Sequence, residues 1–481
     1  MGVLEGLKPE QVFRFFGELE EIPRGSGNTK AVVEYLTAFC TERGLRYAAD
    51  EGGNFIAYAD GTNGREDAEP VILQGHMDMV CVKEPGSLHD FLKDPLDLVV
   101  EGDLLYANGT SLGGDDGIAV AYMLAILDDP SLTHPPLECL FTNDEEIGLL
   151  GASALDASHL KGRRMVNLDS EDEGIFTCGC AGGGVIDCVF PMKRIRVSGR
   201  KVNVTISGLL GGHSGIQIDA GRANSNKIAG RLLLGLDEVA AWSLTDIRGG
   251  VKDNAIPNET VIGLVIDEED LGGLTAYLKK MEEDLREEYA GTDEGAVITV
   301  DPGATGSHQA LDLASQDLLM HLLTVTPHGV RKMSGALPGL VETSCNAAIV
   351  QLTDSTLTMT TSVRSSVDSA RKALMNEIVR TCEYLGGSAH VYGTYPGWAF
   401  QQESPLRDTM VETYREMYEE EPVVDVIHAG LECGLFAMKI PGLDAVSIGP
   451  AMADVHTASE RLSIESAGRV YEYLVELLSK L

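Results

Sequence analysis

The period of apolar and polar positions changes twice along the chain. Up to about residue 186, short apolar runs alternate with longer ones. PVILQG (70–75), LECLFTN (137–143) and RMVNLD (164–169) read as strands, and DGIAVAYMLAILDDP (116–130) reads as an apolar helix closed by Pro130. Strands alternating with helices of this length predict a mostly parallel, helix-covered sheet. From about 187 the period becomes two: RIRVSGRKVNVTISG (194–208) alternates as a half-exposed strand does. An amphipathic helix follows at 274–289. A second alternating stretch (344–366) and a second amphipathic helix (369–386) come after it. This middle section predicts an α+β domain, built of two similar strand–helix halves. After residue 400 the first pattern returns, with a helix in DTMVETYREMYEE, a strand at 443–450 and a closing helix at 463–481. The expected architecture is α/β. One domain (1–186 and 401–481) is interrupted by an α+β domain (187–400).

Length and composition agree with that division. A chain of 481 residues exceeds one ordinary core. Its 44% hydrophobic and 23% charged residues read as globular. No stretch approaches the run of about 18 apolar residues of a membrane span. The N-terminus MGVLEGLKPEQ lacks a basic region leading into an apolar one, and Gly6 stands where myristoylation favours Ser or Thr. A cytoplasmic location is the expectation. Net charge is 37 − 74 = −37, a field that repels nucleic acid and anionic membranes and attracts cations. The nine cysteines are odd in number and not in zinc-finger spacing. They read as reduced thiols, with Cys178-Gly-Cys180 the nearest approach to a motif.

The candidate chemistry sits just after the strands. PVILQG runs into His76-Met77-Asp78, LECLFTN into Asp144-Glu145-Glu146, RMVNLD ends on Asp169, and LDAVSIGP runs into Asp454-Val455-His456. Sites in open α/β sheets lie at the carboxyl ends of strands. Asp115 lies in the glycine-rich turn SLGGDDG ahead of a helix. Each has a plain structural reading as well. A histidine after a strand can be a hydrogen-bonded structural residue, Asp115 and Asp116 can cap the helix, and Glu145 and Glu146 can be solvated. Together, two imidazoles and three carboxylates suit zinc, manganese or cobalt. Five ligands exceed one tetrahedral ion and suit two ions sharing a carboxylate, about 3.5–4 Å apart. Asp78, two residues from His76, points to the same side on an extended chain and can orient the imidazole.

The ordered strings GHMDMVC (75–81), LHDFLKDPLDL, GTSLGGDDGIAVA, TNDEEIGLLGA, NLDSEDEG and DVHTASERLSIES resemble those of the aminoacylhistidine dipeptidases. These are bacterial cytosolic enzymes acting on beta-alanyl-histidine, or carnosine, within the co-catalytic metallopeptidases that include aminoacylase and the glutamate carboxypeptidases. The resemblance spans nearly the whole chain. It implies a zinc-exopeptidase-like catalytic domain with a lid. It implies two divalent ions, zinc foremost, with manganese or cobalt as alternatives. His76, Asp115, Glu146, Asp169 and His456 are then the ligands, Asp115 bridging and Glu146 and Asp169 on opposite ions. Glu145 is the general base toward a water activated by both ions, and Asp78 orients His76. A cis peptide after Asp115 is also implied.

On the inserted domain, the resemblance assigns His213 in GLLGGHSG to reach over the metals. It assigns Asn254 in RGGVKDNAIP and Arg364 in SVRSS to the substrate, Arg364 to its carboxylate. HAGLECG, with His428, resembles a catalytic-domain loop lining the pocket. From the residues alone, His213 and Asn254 can be turn residues and Arg364 a strand-face ion pair. The implied substrate is a dipeptide, Xaa-His or beta-alanyl-histidine. A homodimer contributing His213 across the lid stands beside a duplicated lid doing so within one chain.

Other activities fit part of the pattern. A broad dipeptidase or an N-acyl amino acid deacylase would use the same centre, and a non-catalytic metal-binding homologue would keep the ligands. Gly109-Thr110-Ser111-Leu112-Gly113 matches a serine-hydrolase elbow, with Asp169 and His456 in the corresponding order. That elbow needs its helix at once, whereas Gly113-Gly114-Asp115-Asp116 intervene.

Overall fold

The computed structural model describes residues 2–335 and 337–481. They form two compact units. The first comprises the chain up to Cys180 with Trp398–Val426 and Leu431–Leu481, and the second comprises Ala181–Gly397 with Ile427–Gly430. The chain thus changes units at 180/181 and 397/398 rather than at 186/187 and 400/401. The break in period near 187 falls inside the strand Gly182–Pro191, whose glycine-rich start carries no alternation. The return of Ile427–Gly430 was not legible. The Ala181 N–H donates to the carbonyls of Ile427 (3.1 Å) and Ala429 (2.9 Å). His428 therefore lies in the second unit, not in the first as the resemblance implied.

The first unit holds an eight-stranded sheet in the order Arg46–Ala49, Phe55–Ala59, Leu137–Thr142, Val71–His76, Arg164–Asn167, Asp444–Ser447, Ile175–Cys180, Val423–Ile427. From Leu137–Thr142 to Asp444–Ser447 the neighbours run parallel. Antiparallel pairs flank them. Leu137–Thr142 and Val71–His76 are buried at every position, as strands covered on both faces must be. The register sets Thr142 beside His76, Gln74 beside Asn167, and Asn167 beside Ser447. The segments carrying Glu145, His76, Asp169 and His456 therefore leave the sheet along one edge.

The helix Gly114–Asp128 is buried from Gly114 to Ile126, which accounts for its continuous apolar sequence. Asp115 and Asp116 have non-helical torsions within it, so regular helix begins after them. Gly75 permits the close approach of this helix to the sheet. A Cβ there would lie 2.6 Å from the Ala119 Cβ and closer still to Asp116 Oδ2. A small sheet in the order Met452–Ala453, Arg461–Ser463, Leu104–Ala107, Leu98–Glu101 pairs Arg461 with Tyr106. It sets the His456 loop against the turn that leads to Asp115.

The second unit is built on a nine-stranded sheet with its own core of buried residues. Val297–Leu311, Arg194–Ser207, Thr260–Ile266 and Trp242–Gly249 form one set of four. Val341–Leu352, Thr356–Ser365, Gly182–Pro191 and Ser388–Tyr395 form another, with Gly329–Met333 added at Val341–Leu352. The sets join where Arg248 faces Gln351 and Gly249 faces Val350. The alternating stretch at 344–366 is a hairpin and not one strand. Its turn is closed by the Thr353 N–H donating to Thr356 O (2.8 Å). The period of two runs unbroken through that turn, which hid it.

All nine cysteines are free thiols; Cys81 is exposed and the others buried. Among the described residues, no helix is long and apolar enough to cross a membrane.

Candidate metal centre

Three strand ends and two loops of the first unit converge. His76 closes its strand and turns Nε2 to Asp115 Oδ1 at 2.9 Å and to Asp169 Oδ1 at 3.7 Å. His456 turns Nε2 to Asp115 Oδ2 at 3.0 Å and to Glu146 Oε1 at 2.9 Å. Asp115 thus presents one carboxylate oxygen to each imidazole. Potential ligand atoms group as Asp115, Glu146 and His456; as His76, Asp116 and Asp169; and as His76, Glu145 and Glu146, each group within 4.8 Å. The five expected ligands are brought together, and Asp116 and Glu145 lie beside them. Among the described residues, no cysteine joins these groups, Cys178 and Cys180 included.

The backbone around the ligands is specialised. Asp144, Asp454 and His456 take positive φ (51°, 55° and 63°), a region that costs a non-glycine residue about 1–3 kcal/mol and collects at functional sites. The Asp115–Asp116 peptide is cis, as the resemblance implied. Asp78 receives the N–H groups of Glu145 (3.0 Å, on Oδ1) and Glu146 (3.4 Å, on Oδ2) and the Ser26 hydroxyl (2.8 Å). His76 Nδ1 lies 3.1 Å from Asp78 O and 3.5 Å from its Oδ1, which turns Nε2 inward. Glu145 and Glu146 open a turn, with the Gly148 N–H donating to Glu145 O (3.0 Å).

Burial raises Asp169 well above the usual carboxylate range, with Asp116 adding to it. Burial is also the main force on Glu145, which is pushed up to about 8: His76 opposes it, while Glu432, Glu146 and Asp115 add. His456 is raised to about 10 by hydrogen bonds to Asp115 and Glu146. Burial works against a charged His76, yet hydrogen bonds to Asp115 and Asp78 outweigh it. Asp115 moves down, because its two imidazole partners overcome its burial. Carboxylates thus outnumber imidazoles in a buried site, and one carboxylate is split between both rings. This donor chemistry fits two divalent cations.

The plain readings of Asp115, Asp116 and Glu146 do not hold. The helix start has Gly113 at its cap and no side-chain capping bond, so Asp115 and Asp116 do not cap it. Asp116 Oδ2 instead accepts the His76 N–H (3.1 Å). The side chain of Glu146 is only 5% exposed and so is not solvated. The serine-hydrolase reading also fails. Ser111 is buried and donates to Val80 O (2.6 Å), while His456 faces Asp115 and Glu146.

Several buried residues escaped sequence reasoning. Arg24 pairs with Glu20 (2.8 Å) and donates to Asp78 O (3.2 Å) and Gly113 O. Glu460 accepts backbone N–H groups of the turn before Asp115. Glu432 accepts from Gln74 (2.6 Å) and Thr142 (2.7 Å), and Gln74 in turn accepts from Asn167 (2.5 Å). That row runs beneath three ligand-bearing strands. Only Glu460, four residues past His456, had a position that could have signalled it. A cavity of about 770 Å³ lies elsewhere, at the amino ends of the parallel strands beside Pro70 and Leu137, and holds none of the candidate ligands.

In the second unit, the short strands Gly212–His213 and Ala255–Ile256 pair, and the Ser214 N–H donates to Asn254 O (2.9 Å). His213 and Asn254 are thus neighbours, with Asn254 in a turn. His213 Nδ1 accepts the N–H groups of Gly215 (3.2 Å) and Ile216 (3.1 Å), which assigns its proton to Nε2. Arg364 donates to the Tyr395 hydroxyl (3.0 Å) rather than to a carboxylate, and its Nε is buried without an acceptor. His428 Nε2 meets Ser344 Oγ at 2.8 Å. Burial and then Arg364 lower the pKa of both histidines, His428 to about 4. His213 and His428 are thus held neutral beside Arg364, whose guanidinium is the positive charge of this cluster.

With this geometry in hand, the likeness to known proteins is decisive. The model of peptidase family M20/M25/M40 matches residues 72–480. The chain belongs to this family. It is a hydrolase of peptide bonds. It is 35% identical over 483 aligned residues to the cytosol non-specific dipeptidase of Escherichia coli (strain K12), covering 100% of this chain and 99% of that one. The crystal structure of aminoacylhistidine dipeptidase from Vibrio alginolyticus superposes with a TM-score of 0.93 at 34% identity, covering 99% of this chain and 98% of that one. Aminopeptidase PepT from Bacillus cereus shares the fold at a TM-score of 0.56 and 16% identity, over 98% of this chain and 99% of that one.

Proposed function

We propose that this M20 peptidase hydrolyses free dipeptides, including Xaa-His substrates such as beta-alanyl-histidine, at a centre of two divalent ions. The observation that carries the reading is Asp115, whose two oxygens face different imidazoles at 2.9 and 3.0 Å. His76 and Asp169 would hold one ion beside Asp115, and His456 and Glu146 the other. The mixed nitrogen and oxygen donors favour zinc, with manganese or cobalt as alternatives. Two such ions, when bound, would acidify a water for attack and polarise the scissile carbonyl.

The chain's own groups do the rest. Glu145 accepts the proton of the attacking water and delivers it to the leaving amine. Asp78 holds both the His76 ring and the turn that aims Glu145. His213 donates from Nε2 to the developing oxyanion. Arg364, with its unpaired buried Nε, grips the substrate carboxylate in a bidentate pair, with Asn254 and His428 beside it. The names of the Escherichia coli and Vibrio alginolyticus relatives support dipeptides as the substrate class; a preference for histidine rests on the second alone. A cytoplasmic location belongs to the same proposal and draws on the first name.

A panel of free, N-acylated and C-amidated dipeptides, assayed with zinc, manganese and cobalt in turn, tests the reading. Turnover of free dipeptides, beta-alanyl-histidine among them, is expected. Turnover of N-acyl amino acids alone would replace it with a deacylase.

A further inference from the structure

We infer that Arg24 and Glu460 are positioning residues that clamp the Leu112–Asp115 turn between the two imidazoles and so set the affinity of the centre for its pair of ions. The inference rests on the two-ion reading above and concerns groups outside the ligand set.

The turn is held by its carbonyl side and by its N–H side, and each hold reaches another ligand-bearing loop. On the carbonyl side, Arg24 Nη2 donates to Gly113 O and Nη1 donates to Met77 O (3.4 Å) and Asp78 O (3.2 Å). One guanidinium thus ties the His76 loop to the Asp115 turn. Its charge is matched by Glu20, 2.8 Å away and equally buried. On the N–H side, Glu460 Oε2 accepts from Leu112 (2.8 Å) and Gly113 (3.1 Å), and its Oε1 accepts from Asp115 itself (3.3 Å). Glu460 belongs to the loop that also carries His456, so this hold ties the His456 loop to the same turn. Arg24 is 2% and Glu460 3% exposed.

Gly113 is shaped to the clamp. Its φ of 68° is left-handed, and a Cβ there would lie 2.5 Å from Arg24 Nη2. The position of Asp115 between His76 and His456 is therefore fixed through backbone contacts on both sides. A bridging carboxylate has little tolerance for displacement, because movement toward one ring is movement away from the other. Partners that orient ligands in this way typically cost 10–100-fold in metal affinity when removed.

Glu460→Gln isolates the effect. An amide keeps the shape but has one acceptor atom, so it loses either the Asp115 N–H or the Leu112 and Gly113 pair. Metal-free wild type and variant are titrated with zinc against a competing chelator, and the melting point of each metal-free form is recorded. Wild type is expected to bind two ions. Glu460→Gln is expected to bind them about 10–100-fold more weakly, with the melting point of the metal-free form little changed. Two ions bound to Glu460→Gln with wild-type affinity would overturn the inference and leave the two-ion reading intact. A lowered melting point with unchanged affinity would likewise reduce Glu460 to a structural role. Failure of wild type to bind two ions would overturn both. If Glu460→Gln does not fold, Arg24→Lys decides by the same titration, since it keeps the charge beside Glu20 and loses the two-pronged hold.

Discussion

Position 145 shows how much one side chain depends on another. Its carboxylate stands among buried groups and is pushed up to about 8, while its backbone N–H is fixed on Asp78. Glu145→Gln should keep both ions by elemental analysis and lose about 10²–10⁴-fold in kcat, the usual share of a general base; near-normal turnover would remove that role. Arg364→Ala should raise KM for free dipeptides and spare C-amidated ones, and an equal effect on both would contradict carboxylate recognition. His428, held down at about 4 by burial and Arg364, binds its proton less readily folded than unfolded. Its contribution to stability is present above the ordinary imidazole value of 6.5 and is lost as pH falls from there toward 4. Its ring should stay neutral by NMR at pH 5.5, and a protonated signal there would contradict the burial argument. The candidate ligands His76, Glu146, Asp169 and His456 were legible because each follows a strand that apolar runs mark, and Asp115 because of its glycine-rich turn. Arg24 and Glu432 were not, because a charged residue buried by distant backbone contacts has the same sequence signature as a solvated one.

Among the elements, the parallel strands and the long helices read well, since apolar runs and 3.6-residue periodicity mark them directly. The antiparallel flank strands Arg46–Ala49 and Phe55–Ala59, which are short, went unread, and so did the hairpin turn near Asp354 and the return of Ile427–Gly430. The last depends on hydrogen bonds from Ala181 across more than half the chain, and no local pattern encodes that. The contact between the helix Gly114–Asp128 and the strand Val71–His76 depends on the missing Cβ of Gly75. Gly75→Ala should destabilise the first unit by about 1–3 kcal/mol, the usual cost of overpacking, and displace His76 or Asp116. Urea unfolding measures the first effect, and zinc titration of the same variant reports the second.

On the scale of the whole molecule, the fold supplies two units with distinct chemistry. The first gathers carboxylates and imidazoles at one sheet edge. The second gathers the neutral rings of His213 and His428 around the positive charge of Arg364, within a protein of net charge −37. That contrast suits a cation centre in one unit and recognition of a carboxylate in the other. Ions that bind only the folded protein stabilise it by mass action, about 4 kcal/mol at a thousandfold excess over Kd, so chelation should lower the melting point as well as abolish turnover. The most direct test of the account is to count ions and turnover together. The protein is stripped with chelator, reconstituted stepwise with zinc, and assayed on beta-alanyl-histidine and an unrelated dipeptide. The account predicts no hydrolysis by the stripped protein and full activity as two ions per chain are reached. Hydrolysis persisting in the metal-free protein, or saturating with no ion bound, would contradict it.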